Sequence, residues 1–256
     1  MSSVAAETLF EVIFENADLL VINKCAGLVC HPTKTDERSS LIGRVRLYLG
    51  ADAPAHMINR LDRETSGVVL VAKNAVAAGQ LGKLWEARRV EKDYLALLHG
   101  HLREDSGVIN APLGKDVRSV VAIKDCVRED GAAARTEFQV MQRFDELHFA
   151  GNAAPMRQPF TLVKLFPKTG RKHQLRIHLA HIGHPIVGDK LYGVDEDCYL
   201  ALVQDRLTEE QRRKLILPNH ALHGSALKFK WRDADWEFKA DHGWEWLLVR
   251  TESLPA

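Results

Sequence analysis

The first strong pattern along the chain is a pair of short apolar runs separated by polar residues. Residues 9–15 (LFEVIFE) and 19–23 (LLVIN) are rich in β-branched and aromatic side chains, and residues 16–18 between them have turn chemistry. This pattern predicts a β-hairpin. A near-continuous apolar run at 67–73 (GVVLVAK) predicts a strand that is buried on both of its faces.

Further strands and helices follow without a regular alternation. Apolar or alternating runs predict strands at 94–100, 136–144, 161–166, 226–231 and 236–240. Helical patterns occur at 41–50, with Ser40 as its cap, at 75–89, at 171–183 and, as a short helix, near 243–249. We expect loops at 31–40, 150–159 and 194–221. Irregular strand–helix order favours an α+β domain with a mixed or antiparallel sheet.

Composition and cysteine spacing narrow the class of protein. The 46% hydrophobic and 27% charged residues are typical of an ordinary globular protein. The four cysteines are scattered and form no Cys-x-x-Cys pair, which indicates reduced thiols and argues against a cysteine zinc site. The chain starts without a basic segment followed by an apolar one, and no apolar run approaches about 20 residues. We therefore expect a cytoplasmic protein without a membrane span.

Positive charge is concentrated in one part of a chain whose net charge is only +1. Between residues 164 and 190 there are six lysines and arginines, and Asp189 is the only acid. This distribution predicts a basic face. Charge alone is equally compatible with a solvated face that binds no partner.

One carboxylate lies between two arginines in the stretch Arg60-Leu61-Asp62-Arg63. If either guanidinium reached Asp62, the pKa of this carboxyl would fall. Spacing alone favours an exposed ion pair, worth about 0–1 kcal/mol. A loop fixed to the buried strand at 67–73 is, however, also a good place for a reactive group, and the residues leave both interpretations open.

The predicted helix at 171–183 carries a second unusual arrangement. Its buried stripe consists of Leu175, Leu179 and Ile182, and Arg176 lies off that stripe. Arg171 and Lys172 fall in the expected first turn, where the helix dipole disfavours cations. This placement indicates that an anion docks there, since helix N-termini attract phosphate.

Four histidines in the same region raise the question of a metal site. His173, His178, His181 and His184 are spaced by five, three and three residues, which does not match the His-Glu-x-x-His pattern. No Asp or Glu falls among them. We expect no metal site here, and we interpret His184, which precedes a proline, as a turn residue.

Three motifs, in order, resemble the RluA branch of the pseudouridine synthases (RluA/RsuA family). They are NRLDRETSGVVLVAK at 59–73, the set Lys92, Tyr94, Ala96 and Gly100, and TGRKHQLRIHLAHIGHPIVGDKLYG at 169–193. The stretches ENADLLVINKCAGLVCHP and ALHGSALKF also have the look of that family. The resemblance covers residues from about 10 to 230. It departs from the family at Asn59, where a histidine is usual, and we expect this change to leave activity in place.

The resemblance implies a fold and a reaction. The fold would have a central, mixed but mostly antiparallel sheet with flanking helices and a catalytic cleft, in a single domain over 1–256 (core about 10–250) without the S4 domain of many relatives. The reaction would isomerise uridine in structured RNA, rRNA or tRNA, to pseudouridine: the base leaves C1′, rotates and is rejoined through C5. It requires no cofactor or metal. We expect a monomer with no obligate protein partner.

The resemblance also implies residue roles. Asp62 would act at the sugar, either by bonding to C1′ or by removing the C2′ proton. Arg176 would pair with it, and Tyr94 would stack on the flipped uracil, in a slot for one everted pyrimidine, and help to deprotonate C5. Eight further residues would bind substrate: Arg60, Leu61, Arg63, Thr65, Arg171, Lys172, His173 and Leu175. The alternatives are a noncatalytic RNA-binding protein on the same fold and a histidine-based metallohydrolase.

Overall fold

A large mixed sheet runs through the computed structural model, which describes residues 10–31, 37–50, 52–148, 155–193 and 195–244. Within these ranges the strands are β1 (Glu11–Glu15), β2 (Leu19–Lys24), β3 (His56–Met57), β4 (Ser66–Ala72), β5 (Val90–His99), β6 (Ser106–Asn110), β7 (Leu113–Lys115), β8 (Asp125–Val127), β9 (Arg135–Leu147), β10 (Met156–Pro167), β11 (Leu222–Trp231) and β12 (Ala234–Lys239). Ten of them form the large sheet in the order β1-β2-β4-β11-β5-β10-β9-β6, with β12 paired to β11 and β3 to β4. Strands β7 and β8 form a separate pair.

The sheet is antiparallel except where β4 meets β11. There Ser66 and Gly67 run parallel to His223 and Gly224. A Cβ on Gly67 would lie 2.2 Å from the carbonyl oxygen of Gly224, and the φ of Gly67 is +119°. Only glycine allows this close approach. The expected mixed, mostly antiparallel sheet is confirmed.

Five α-helices flank the sheet in the described part of the chain. They are α1 (Leu41–Leu49), α2 (Ala75–Glu86), α3 (Gln174–His181), α4 (Asp197–Val203) and α5 (Glu209–Leu215). Ser40 caps α1 as predicted, because its side chain accepts a hydrogen bond from the Gly43 amide. Helices α4 and α5 occupy half of the predicted loop at 194–221, so that prediction was wrong for those residues.

Other local predictions had mixed outcomes. The hairpin β1–β2 and the double-sided burial of β4 are confirmed. Short strands β3, β6, β7 and β8 were not predicted. The predicted loop at 150–159 lies partly outside the described residues, and β10 already begins at Met156. Most of the predicted helix near 243–249 also lies outside them. No helix in the described ranges has both the length and the apolar composition to cross a membrane.

Two hydrophobic clusters meet beside the centre of the sheet. One contains Leu175 and residues of β5 and β10, and the other contains Leu61 with Val69 and Val71 of β4. Tyr94, in β5, packs against both clusters. The seam between them is the floor of the main cleft.

Candidate active-site cleft

A cavity of about 950 Å³ opens over this seam. All eleven residues that the sequence singled out line it: Arg60, Leu61, Asp62, Arg63, Thr65, Tyr94, Arg171, Lys172, His173, Leu175 and Arg176. A cavity of this size matches sites for drug-sized ligands. It is larger than the expected slot for one pyrimidine, so there is also room for neighbouring nucleotides.

The partner of Asp62 is Arg176, which is 114 residues away in sequence. Its guanidinium Nη1 donates to Asp62 Oδ2 at 3.0 Å. Arg60 and Arg63 are exposed, and Arg63 donates through Nε to the Gly27 carbonyl oxygen instead. The exposed ion pair that spacing favoured is therefore wrong, and the pairing implied by the resemblance is present.

Asp189 holds the other side of Arg176. Nε and Nη2 of Arg176 donate to the two Asp189 carboxylate oxygens at 2.6 and 2.9 Å, a bidentate pair. Asp189 Oδ1 also accepts the amide protons of Leu191 and Tyr192, each at 2.9 Å. The side chain of Asp189 is 0% exposed and that of Arg176 only 8%. Since Arg176 cannot rotate without breaking these bonds, Asp189 fixes the guanidinium that faces Asp62.

The charges of Asp62, Arg176 and Asp189 shift one another's pKa values. Burial acts to raise the pKa of Asp62, but the positive charge and the hydrogen bond of Arg176 outweigh it and lower the pKa overall. For Asp189, too, the Arg176 charge overcomes burial and holds the pKa far below its usual range. Burial opposes the charged form of Arg176, yet the two carboxylates raise its pKa. Asp62 is thus an anion near neutral pH, and one guanidinium serves two carboxylates.

Tyr94 lies beside this anion at the seam of the two clusters. Burial, and then the negative charge of Asp62, raise the pKa of the Tyr94 phenol well above its ordinary value. The ring is therefore neutral near neutral pH. Its neighbours Leu61 and Leu175 leave an apolar wall on which a base can stack.

The segment before α3 differs from the prediction. The helix begins at Gln174, so Arg171 and Lys172 precede it rather than occupying its first turn. His173 has a left-handed φ of 55° and directs its imidazole to Asp62, with Nε2 3.9 Å from Oδ2, while Nδ1 bonds the Tyr192 hydroxyl at 2.9 Å. The helix-dipole argument for a docked anion was wrong. His173 is a neighbour of the carboxylate.

A second layer supports the Asp62 loop from below. Thr65, which we expected to bind substrate, is buried, and its hydroxyl contacts Nε2 of the buried His220 at 2.7 Å. Nδ1 of His220 lies 3.6 Å from Glu64, which binds Lys190 at 2.9 Å. Burial lowers the pKa of His220 to about 3, so the imidazole is neutral. These contacts place Thr65 as a support of the loop.

Most of the predicted basic face is paired. Four of the six cations between residues 164 and 190 bind acids elsewhere in the fold: Lys164 with Asp93, Lys168 with Glu137, Lys172 with Asp125, and Lys190 with Glu64. Arg176 has its two carboxylates, and Arg171 donates through Nε to the Ala133 carbonyl oxygen. These cations are close together in sequence, but in the fold each binds a different partner, so they do not form one basic face.

The histidines near α3 have separate contacts. His178 is buried between Thr136 Oγ1 and the Ala111 carbonyl oxygen, and His184 Nδ1 contacts the His99 carbonyl oxygen. Within the described ranges no group of three His, Cys, Asp or Glu side chains has a metal-binding arrangement.

Asn59, the departure from the usual histidine, is a structural residue. Its buried amide donates to the Val68 carbonyl oxygen at 3.0 Å and accepts from the Leu70 amide at 2.8 Å. Both contacts join the Asp62 loop to β4. Asn59 therefore helps to fix the loop through the backbone.

Three functional residues were missed by the sequence reasoning. The sequence did contain an indication for Asp189, because it is the only acid among six cations and is therefore a candidate partner for one of them. His220 and Glu64 had none, since their neighbourhood depends on β11 lying beside β4.

The chain is similar to known proteins in family, in sequence and in structure. The family described as RNA pseudouridylate synthase matches residues 18–181. The Yersinia pestis protein named dual-specificity RNA pseudouridine synthase RluA is 38% identical over 221 residues, covering 86% of this chain and 97% of that protein. An uncharacterized RNA pseudouridine synthase of Aquifex aeolicus is 33% identical over 189 residues, covering 71% and 55%. The solved structure of human RNA pseudouridylate synthase domain containing 1 has a TM-score of 0.70 at 27% identity, covering 94% and 86%.

These matches agree on one family. The chain spans a little over half the length of several curated relatives it matches, such as the Aquifex aeolicus protein. The family match nevertheless covers well over half of the chain, and the Yersinia pestis relative is matched almost end to end. The three sequence motifs lie on the walls of the same cleft. This chain belongs to the RNA pseudouridylate synthase family and has its fold.

Proposed function

We propose that this protein isomerises uridine to pseudouridine in structured RNA, rRNA or tRNA, within one catalytic domain. The observation that carries the proposal is the anionic Asp62, held by a buried arginine and facing a cleft beside Tyr94. Breaking the C1′–N1 bond develops positive character on the sugar, and a fixed carboxylate stabilises it or bonds to it. The ionised state of Asp62 supports both forms of that step.

The neighbouring side chains have complementary tasks in this proposal. Tyr94, Leu61 and Leu175 form the apolar wall against which the flipped base stacks. Arg176 stays bound to Asp189 throughout, so it preorganises Asp62 without having to move. The exposed Arg60 and Arg63 lie at the rim, where they face the rest of the RNA.

The direct test is formation of pseudouridine by purified protein. Unmodified rRNA and tRNA transcripts are incubated with it, and pseudouridine is mapped by carbodiimide modification. We expect specific stops with the wild-type protein and with Asp235→Asn, which changes an exposed aspartate, and none with Asp62→Asn. Absence of pseudouridine in every transcript contradicts the proposal, and equal product from Asp62→Asn refutes the role of Asp62.

A further inference from the structure

Lys92 lines the same cavity as the proposed catalytic residues, but the reaction proposed above gives it no task. It precedes Tyr94 by two residues in β5, so both side chains point to the same face of the sheet, about 7 Å apart along the strand. Both line the cleft. Lys92 therefore stands about one nucleotide's length from the place where the target base would stack.

Lys92 differs from the comparable cations of the protein. In the described ranges the side chain of every other buried or half-buried lysine or arginine has a hydrogen bond or an ion pair, whereas the side chain of half-buried Lys92 has neither. Burial, with the positive charge of Arg88, lowers its pKa. A partly desolvated ammonium without a counter-charge is unfavourable, and an incoming anion relieves it.

The space around the ammonium is open to the cleft. A Cβ on Gly170 would lie 3.6 Å from Lys92 Nζ, so the absence of a side chain at that exposed position leaves room over the charge. Arg88, just after α2, lines the same cavity, is exposed, and lies close enough for its charge to lower the pKa of Lys92. Its backbone amide donates to the Trp85 carbonyl oxygen, but in the described structure its guanidinium has no hydrogen bond or ion pair. Two cations thus line a cavity whose volume is larger than one base requires.

We propose that Lys92, together with Arg88, binds a backbone phosphate of a nucleotide flanking the target uridine. Lysine is a suitable phosphate ligand because its ammonium is a compact point charge with three donors. This inference rests on the proposed function, since it requires RNA in the cleft. It assigns the part of the cavity around Lys92 and Arg88 to the RNA backbone and the part around Asp62 to the reacting nucleotide.

The test measures how RNA affinity depends on salt. Binding of a fluorescein-labelled RNA hairpin with a uridine-rich loop is followed by anisotropy between 50 and 300 mM KCl, for the wild type and Lys92→Met. Loss of one phosphate contact lowers the slope of log affinity against log salt by about 0.7–0.9. We expect that decrease and an affinity about fivefold weaker at 100 mM KCl.

Two matched variants separate a site from general charge. Lys230→Met removes an exposed lysine in β11 that does not line the cavity, and its slope should equal that of the wild type. Lys92→Arg keeps the charge and should retain most of the slope. Thermal melts check that each variant is folded. Equal slopes for Lys92→Met, Lys230→Met and the wild type overturn the proposal.

The outcome of this experiment can be distinguished from the outcome of the test for pseudouridine formation. Salt dependence of binding does not require turnover, so it can be repeated in the Asp62→Asn background with the same expected change. If the protein forms pseudouridine but Lys92→Met leaves both the slope and KM unchanged, only the phosphate site is wrong. If no pseudouridine forms and the slope still falls, the site stands as an RNA-binding site and the enzymatic proposal fails.

Discussion

The two ends of the cleft are built on opposite electrostatic principles. At the Asp62 end, the two carboxylates Asp62 and Asp189 share one partner inside the protein, the guanidinium of Arg176. Around Lys92 and Arg88, by contrast, neither charged side chain has a hydrogen-bond or ion-pair partner in the described structure. The first arrangement fixes geometry before substrate arrives, and the second leaves charge for the substrate to neutralise.

The proposed function requires a protein of net charge +1 to bind a polyanion, and this difference within the cleft accounts for how it would do so. Most of the cations concentrated between residues 164 and 190 are paired with acids. Two cations of the cleft whose side chains have no partner in the described structure, Arg88 and Lys92, come instead from the end of α2 and the start of β5. Total charge in a sequence segment is therefore a poor guide to a binding surface, whereas the pairing of each cation in the fold is informative.

The largest effect on stability and pH dependence should come from removing the guanidinium that Asp62 and Asp189 share. Arg176→Met leaves two carboxylates, one of them fully buried, without their cation and should destabilise the protein by about 3–5 kcal/mol in urea unfolding. Burial then raises the pKa of Asp62, so the acid limb of the kcat profile moves to higher pH. Arg135→Met, at an exposed pair with Glu137, is the control and should change stability by less than about 1 kcal/mol. An unchanged acid limb in a folded Arg176→Met variant contradicts the assignment.

Asp189→Asn should have the opposite effect on the pH dependence. It should move the acid limb of the kcat profile to lower pH, whereas Arg176→Met moves it to higher pH. Asp189→Asn removes one anion, so the whole Arg176 charge acts on Asp62 and lowers its pKa further, shifting the acid limb to lower pH. Weaker bonds to the buried guanidinium should destabilise the protein by about 2–3 kcal/mol. The kcat should fall, since Asp62 becomes a weaker base and nucleophile. A shift to higher pH would show that Asp189 does not share the guanidinium in solution.

The next prediction concerns His220, the buried histidine that contacts Thr65 and Glu64 behind the Asp62 loop. The folded protein holds the pKa of His220 at about 3 and that of His223 at about 4, against 6.5 for an ordinary histidine. Between these values the unfolded chain binds more protons, so stability is full above pH 6.5 and decreases as pH falls. At pH 5 each histidine should account for about 2 kcal/mol of the loss.

The measurement for this prediction is urea unfolding at pH 7 and pH 5. His220→Gln should lose about 2 kcal/mol less than the wild type on this change of pH, whereas His56→Gln, an exposed position, should behave like the wild type. A pH dependence that is identical in all three proteins would mean that His220 is charged or solvated in the folded state.

Sequence reasoning succeeded where the information was local or carried by motifs. The hairpin, the buried strand β4 and the Ser40 cap follow from runs of a few residues. The eleven candidate residues came from a family resemblance, and the fold places them around one cavity. From spacing alone, Asp62 looked like part of an exposed ion pair, because its partner lies 114 residues away.

The failures have physical reasons. Helices α4 and α5 are seven residues each and lie in a polar stretch, although the capping box of Thr208 and Gln211 was a readable signal for α5. Strands β6, β7 and β8 are too short to show a period. Asp189 and His220 join the site only because the sheet brings distant strands together. A one-dimensional pattern does not contain that neighbourhood.

The most direct measurement of the central claim follows the hydrogen on C5 of uridine. Isomerisation replaces the C5–H bond with the new bond to the sugar, so RNA carrying tritium at C5 of uridine must release tritium to water. The account predicts release by the wild-type protein, and release at least about a thousandfold slower by Asp62→Asn with RNA affinity retained. Equal release rates from the two proteins at saturating RNA would contradict it.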